Sequence, residues 1–224
     1  MDVAELAPGL WRWTAPHPEW TPAEGGPEGW EENVAAYYCE AEGELLLLDP
    51  IVPAGARDRD RFWEALDRDV ARVGAPHVVL TGVWHVRSAE EILGRYRGAQ
   101  LWAPAGETEP LPAGLRATRE FRPGDRLPGG AVAIEGIIDG YAEALLWLPS
   151  HAALVSGDTL LGGGPPGVRL CPESWREGTN TAEVRETLRE RLAGLPVERI
   201  LVSHGEPVLE GGRPALDEAL ADGA

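Results

Sequence analysis

The stretch VLTGVWHVRSA, residues 79–89, decides how this chain is read. The apolar run of residues 78–81 has the character of a buried strand. Gly82 breaks it, and Ser88-Ala89-Glu90-Glu91 opens a helix with Ser88 and Glu91 spaced as a capping box. A buried strand that stops in a short loop before a helix is where layered α/β proteins place reactive side chains. The loop here holds a histidine, His85, a tryptophan, Trp84, and an arginine, Arg87.

The pattern continues outward from that loop. Residues 59–73 predict a helix with Phe62, Leu66, Val70 and Val73 on one face, stopped by Gly74 and Pro76. Residues 44–48 predict a buried strand ending at Asp49-Pro50, with further strands at 10–13, 34–38 and 100–103. The second half repeats the style, with strands at 131–134, 144–148 and 153–156. The clearest helix is at 180–193, capped by Asn180, striped by Val184, Leu188 and Leu192, and stopped by Gly194 and Pro196. Residues 199–202 form a strand that delivers Ser203-His204-Gly205, and 215–220 a last helix. The Pro/Gly-rich segment 21–29 is a surface loop rather than a linker, so a single domain over 1–224 is expected.

Composition narrows the function. The 224 residues are 43% hydrophobic, enough for a sizeable core, and the net charge is −17. All 20 basic residues are arginine, which with abundant Ala, Gly and Pro reads as GC-rich coding. Such an acidic surface repels phosphate backbones, so neither nucleic acid nor an anionic membrane is an expected partner. No apolar run reaches transmembrane length, and the N-terminus shows no secretion signal, which makes a cytoplasmic location the expectation. The two cysteines, Cys39 and Cys171, form no Cys-x-x-Cys pair and are expected as reduced thiols. Oligomeric state is not legible in the sequence.

Four stretches, in this order, resemble the metallo-β-lactamase superfamily: LLLLDP (45–50), VLTGVWHVRSA (79–89), LVSGDTLLGG (154–163) and ILVSHGEPV (200–208). The resemblance implies an α/β fold, a four-layer αββα sandwich, with the site between the two sheets at their shared edge. It also implies hydrolysis of an ester, thioester or lactam by a zinc-bound hydroxide. The family's ligand pattern, His-x-His-x-Asp-His, falls on Gly82, Trp84, Val86 and Arg87 when laid from Thr81, and none of these ligates zinc as the family does. A further family histidine is expected near residues 136–144, where Asp139 stands nearest. Asp158 and His204 match the family's bridging aspartate and final histidine, and Asp49 an aspartate of mainly structural role.

A catalytic zinc takes about three protein ligands, so the ordinary dinuclear mechanism does not carry over. The first expectation is a metal-free protein that binds a small molecule or a protein partner, with the Arg87 guanidinium reaching into the vacancy to pair with Asp158. The alternative is an altered hydrolase acting on a small ester or thioester. There Asp158 and His204, with Asp139 or His85, hold one zinc or iron or form a metal-free acid–base pair. A third reading is a scaffold whose pocket is filled by Trp84 and Arg87. His85 occupies a spacer position, whose side chain ordinarily points away from the metal. Trp84 with Trp20, Trp30 and Trp175 offers an aromatic mouth, and His17, His77 and His151 are read as structural. Ser156 and Ser203 sit in no nucleophile elbow, and the glycines at 162–164 make no phosphate loop.

Overall fold

The structure, a computed structural model, describes residues 1–26, 28–106, 111–112, 114–137, 143–163, 167–176 and 179–221. Its first sheet is laid down in chain order: β1 (Asp2–Ala7), β2 (Leu10–Pro16), β3 (Asn33–Ala41), β4 (Glu44–Leu48), β5 (His77–Val79), β6 (Gln100–Pro104) and β7 (Arg119–Phe121), each paired to the next. The strands from β1 to β4 alternate in direction. From β4 to β7 they run parallel. Parallel neighbours need a crossover, and α1 (Ala56–Val73) and α2 (Ala89–Arg95) provide it on either side of β5.

In the second half come β8 (Val132–Glu135), β9 (Ala144–Leu148), β10 (Ala153–Val155), β11 (Leu160–Gly162), β12 (Val168–Leu170), α3 (Thr181–Arg191), β13 (Arg199–Leu201) and α4 (Gly212–Ala219). The second sheet has the order β13-β10-β9-β8, with β13 parallel to β10, while β11 and β12 form a separate hairpin.

Side-chain alternation divides the core into three apolar layers, and these define the architecture. Leu45, Leu47, Val78 and Leu101 point from the first sheet towards Phe62, Trp63 and Leu66 of α1 and Ile92 of α2. Their neighbours Leu46, Leu48 and Val79 point the other way, into Leu146, Leu148, Val155 and Leu201 of the second sheet. From that sheet's far face Leu145, Leu154 and Ile200 meet Val184 and Leu188 of α3 and Leu216 of α4. Helix, sheet, sheet and helix therefore stack in the expected αββα order.

The two sheets are also hydrogen-bonded to each other where they meet. Val34 and His204 form an antiparallel bridge, as do Gly82 and Glu143. The Ala35 amide donates to the Ser203 carbonyl at 2.8 Å and the Ala144 amide to the Thr81 carbonyl at 2.7 Å. The buried Tyr37 hydroxyl spans the seam to donate to the Val202 carbonyl at 2.7 Å. Four strands, β4, β5, β10 and β13, deliver their C-terminal ends to this seam.

Two local expectations are corrected. α1 begins at Ala56, upstream of residue 59. Ser88 does not cap α2: its hydroxyl accepts from the Val52 amide at 2.8 Å, tying the loop after β4 to the start of that helix. Asn180 does cap α3, its Oδ1 accepting from the Ala182 amide at 2.8 Å. No helix among the described residues is long and apolar enough to cross a membrane.

Candidate functional site

The site is built from strand ends. Asp49 follows β4 with φ 47°, a left-handed conformation that Asp tolerates better than most residues. This turns its carboxylate towards the end of β5. There Oδ1 accepts from the Thr81 amide at 2.8 Å and Oδ2 from the Thr81 hydroxyl at 2.6 Å. After Thr81 the chain tightens into a 3₁₀ turn, Val83–Val86. That turn reverses the expectation for His85. The ring points inward, only 4% of the residue is exposed, and Nδ1 lies 3.0 Å from Asp49 Oδ2. An extended loop would place the spacer residue outside; a 3₁₀ turn does not alternate, so it brings His85 in.

Asp158 arrives from the other sheet, in the turn after β10. Gly157 takes φ 53°, and a Cβ there would lie 2.9 Å from the Thr81 hydroxyl, so glycine lets this turn pack against the end of β5. Asp158 Oδ2 lies 3.2 Å from His85 Nε2, and Oδ1 lies 3.2 Å from His204 Nε2. His204 hangs from the end of β13, held by its bridge to Val34 and by the Gly162 amide, which donates to its carbonyl at 2.8 Å. His85, Asp158 and His204 are all buried, and one donor atom from each lies within 4.8 Å of the others. No other such group of three occurs among the described residues.

Charge follows this geometry. Burial works against a charged His85, but Asp158 and Asp49 on either side outweigh it and push its pKa up to about 9. Burial likewise opposes ionisation of Asp158, yet the His85 charge and the contact with His204 hold it well below the usual carboxylate range. Asp49 is also held low against its burial, by His85, Arg87 and Thr81. His17 at the mouth is pushed down by burial and by Arg87.

The predicted Arg87–Asp158 pair is corrected. Arg87 Nη1 donates to the Ala35 carbonyl at 2.8 Å and the Asp49 carbonyl at 3.0 Å, so the guanidinium braces β3 against the turn after β4. No ion pair joins it to Asp158 among the described residues. The cation facing that carboxylate is His85. At Arg87 the chain has φ 37°, and alignment alone does not carry that change of direction. Of the other aligned positions, Val86 packs on the helix side of the first sheet. Trp84 turns into the site, where its Nε1 donates to Asp158 Oδ2 at 2.9 Å. Asp139 lies outside the described residues.

Above the three donors opens a cleft of about 490 Å³, walled by Trp30, Trp84 and Trp175 and edged by His17, Glu24 and Glu28. The His204 ring lies against Trp30 and Trp175, with centroids 5.2 and 5.9 Å away. Trp20 supports this wall from behind, its Nε1 donating to the Trp30 carbonyl at 3.0 Å. His17 therefore belongs to the mouth rather than to the framework, its ring 5.1 Å from Trp30. His77 and His151 lie elsewhere, against Trp102 and Cys39.

The donor set suits a metal ion. Ligands about 2.0–2.1 Å from a tetrahedral ion stand roughly 3.3 Å apart; His85 Nε2 lies 3.2 Å from one Asp158 oxygen, Oδ2, and His204 Nε2 lies 3.2 Å from the other, Oδ1. Asp158 Oδ1 is buried with no hydrogen-bond partner, an acceptor left for a cation. Asp49 behind His85 reproduces the carboxylate–histidine arrangement that fixes the outer nitrogen's proton and leaves Nε2 as the ligand. Two imidazoles and a carboxylate are donors that suit zinc or iron.

These layers and this seam define the class: the chain has the metallo-β-lactamase fold. Solved structures bear this out over nearly its whole length. The metallo-β-lactamase FIM-1 from Pseudomonas aeruginosa, in its mono-zinc form, matches with TM-score 0.66 at 16% identity, over 98% of this chain and 92% of that one. A β-lactamase domain protein from Burkholderia ambifaria matches with TM-score 0.65 at 19% identity, over 97% and 75%. A metallo-β-lactamase family protein from Thermus thermophilus matches with TM-score 0.58 at 20% identity, over 96% and 79%. No protein-family profile matches the sequence, and no curated protein matches it.

Proposed function

We propose that this chain is a hydrolase-type protein built around one divalent ion, zinc or iron, held by His85, Asp158 and His204. The observation that carries the reading is the convergence of these buried donors, from two different sheets, within 4.8 Å. Bound there, such an ion supplies a Lewis acid and a water of lowered pKa. The chain's own residues do the rest. Asp49 holds the Nδ1 proton of His85 and so aims Nε2 at the ion. Trp84 fixes the plane of the Asp158 carboxylate. Trp30 and Trp175 shield His204 and give a substrate flat apolar walls. A small ester or thioester fits this cleft, a substrate class drawn from the fold.

The test is metal content and uptake. Purified without chelator, or reconstituted with Zn²⁺, the protein is expected to hold one ion per chain, and Asp158→Ala and His85→Ala to lose it. Hydrolysis of a generic thioester should follow the metal. A wild-type protein that takes up no ion at micromolar Zn²⁺ would overturn the reading.

A second reading is a metal-free binding pocket. It is favoured by the His85 ring lying between the carboxylates of Asp49 and Asp158, where a doubly protonated imidazole faces an acceptor on each side, and by the Trp84 N–H on Asp158. Absence of metal uptake, together with small-molecule binding that changes tryptophan fluorescence, would select it.

A further inference from the structure

The rim of the cleft carries charge of one sign. The exposed carboxylates of Glu19, Glu24 and Glu28 lie along it. The chain has no lysine, and no arginine forms an ion pair with any of the three among the described residues. Arg87 lies deeper and is already bonded to the Ala35 and Asp49 carbonyls. Burial and Arg87 hold the His17 pKa down, so that ring stays neutral at neutral pH. Two of the aromatic walls are tied to the acidic rim. Trp175 Nε1 donates to the Glu28 carbonyl at 2.9 Å, and the Ser174 hydroxyl donates to Glu28 Oε2 at 2.9 Å. The Trp30 amide donates to the Glu24 carbonyl at 3.0 Å. No arginine lies over Trp30 or Trp175 among the described residues; the cation–π contacts are made by Trp63 and Tyr96, away from the cleft. At the floor, buried His204 Nδ1 and Asp158 Oδ1 have no hydrogen-bond partner, so the cleft ends in polar atoms left for a ligand.

We propose that the cleft takes a small ester or thioester bearing an alkylammonium group, with the cation against Trp30 and Trp175 and countered by Glu24 and Glu28. The reaction rests on the metal reading above; recognition of the cation does not need it. An indole face attracts a cation through its quadrupole, and a carboxylate beside the ring acts in the same direction. An anionic substrate would meet the same carboxylates as repulsion. The polarity of the cleft also sets orientation. A divalent ion on the three donors makes the floor positive, while the rim is negative. The ammonium group is then held outward at the rim, and the electron-rich carbonyl is turned inward to the floor. A cleft of about 490 Å³ has room for a substrate of this size.

The test compares two probes by calorimetric titration: choline, and the neutral alcohol in which carbon replaces its nitrogen. They match in shape and differ in charge, and neither is hydrolysed. Both are titrated into the wild-type protein, with chelator and after Zn²⁺ loading. The wild type is expected to bind choline about 10-fold more tightly than the neutral alcohol in both states. In the double variant Glu24→Gln with Glu28→Gln, the amide at 28 still accepts from Ser174. The preference there should fall about 3-fold or more while the neutral alcohol binds as before. Trp175→Leu should lower the preference as well, and thermal melting checks that each variant is folded. Equal affinity for the two probes in the wild type would overturn the inference. So would an unchanged preference in either folded variant, or tighter binding of butyrate than of choline. A wild type that prefers choline but takes up no Zn²⁺ keeps this inference and removes the metal reading; one that binds Zn²⁺ and shows no preference does the reverse. Should Trp175→Leu not fold, the double variant still decides the matter.

Discussion

Replacing Asp49 by asparagine tests the support behind the site without touching the three donors. Asparagine also tolerates a φ of 47°, so the backbone turn survives. Its amide oxygen can take the Thr81 amide that Asp49 Oδ1 accepts at 2.8 Å. The NH₂ then stands where Oδ2 was, facing the Thr81 hydroxyl and His85 Nδ1, previously 2.6 and 3.0 Å from it. A donor there takes away the carboxylate acceptor of the Nδ1 proton and leaves only the Thr81 hydroxyl, 2.9 Å away, beside it, which favours the tautomer with its proton on Nε2. His85 then points a hydrogen, not a lone pair, at the ion. Loss of such an outer carboxylate ordinarily costs about 10–100-fold in metal affinity, which is roughly 1.4–2.7 kcal/mol. In the metal-free protein the variant also strips a buried charge pair of one partner, worth about 3–5 kcal/mol. At roughly 2–4 °C per kcal/mol for a chain of this size, its melting temperature should fall by at least about 6 °C. Calorimetric titration with Zn²⁺ at neutral pH and scanning calorimetry of the metal-free proteins read the two effects separately. Wild-type metal affinity in a folded Asp49→Asn would refute the role given to Asp49 and the tautomer argument with it.

Other outcomes follow from the same geometry. Arg87→Ala leaves two buried carbonyls without their donor and should cost about 2–4 kcal/mol in denaturant unfolding, with the number of ions bound unchanged; lost ion binding at unchanged stability would refute its bracing role. Tyr37→Phe removes the hydroxyl that crosses the seam to Val202 and should cost about 1–2 kcal/mol, and an unaltered melting curve would show that this bond adds nothing. Gly82→Ala brings a Cβ to 2.9 Å from the Trp84 ring, so the indole must move and its fluorescence maximum should shift; an unchanged spectrum counts against the packing described. In the metal-stripped protein the folded pKa of His85 is raised to about 9, above its unfolded value of about 6.5. Its contribution to stability should be complete below about 6.5 and lost as pH rises through about 9. Denaturant midpoints measured across that window should fall, and a flat profile would refute the placement of His85 between two carboxylates.

The fold was legible because its signals are local and repeated. ELLLL, HVV and ALLWL are short buried runs of strand character, and Asp49-Pro50, Gly82 and Pro149 follow them as breaks. The strands that escaped notice are of two kinds. β1 is exposed along much of its length, and β7, β11 and β12 are only three residues long; their pairing is set by neighbours, not by their own pattern. The candidate site was half legible. Asp158 and His204 stand at positions that the strand ends fix, and they come together as the resemblance implied. The direction of the loop after β5 was not legible. A 3₁₀ turn and a left-handed residue at 87 exchange the roles of His85 and Arg87, and both depend on contacts with Asp49 and Ala35 that lie far away in sequence. One signal was available: His85 is the loop's only imidazole, and Asp49, already marked by the resemblance, ends the neighbouring parallel strand.

The bridge between Val34 and His204 has a mechanical consequence. One imidazole of the trio belongs to the first sheet, while the acid and the other imidazole belong to the second. An ion gripped by all three would act as a rivet through the joint between the halves of the molecule. Chelation should then do more than silence the centre. It should loosen the joint itself, so that the stripped protein is cut by proteases sooner than its loaded counterpart.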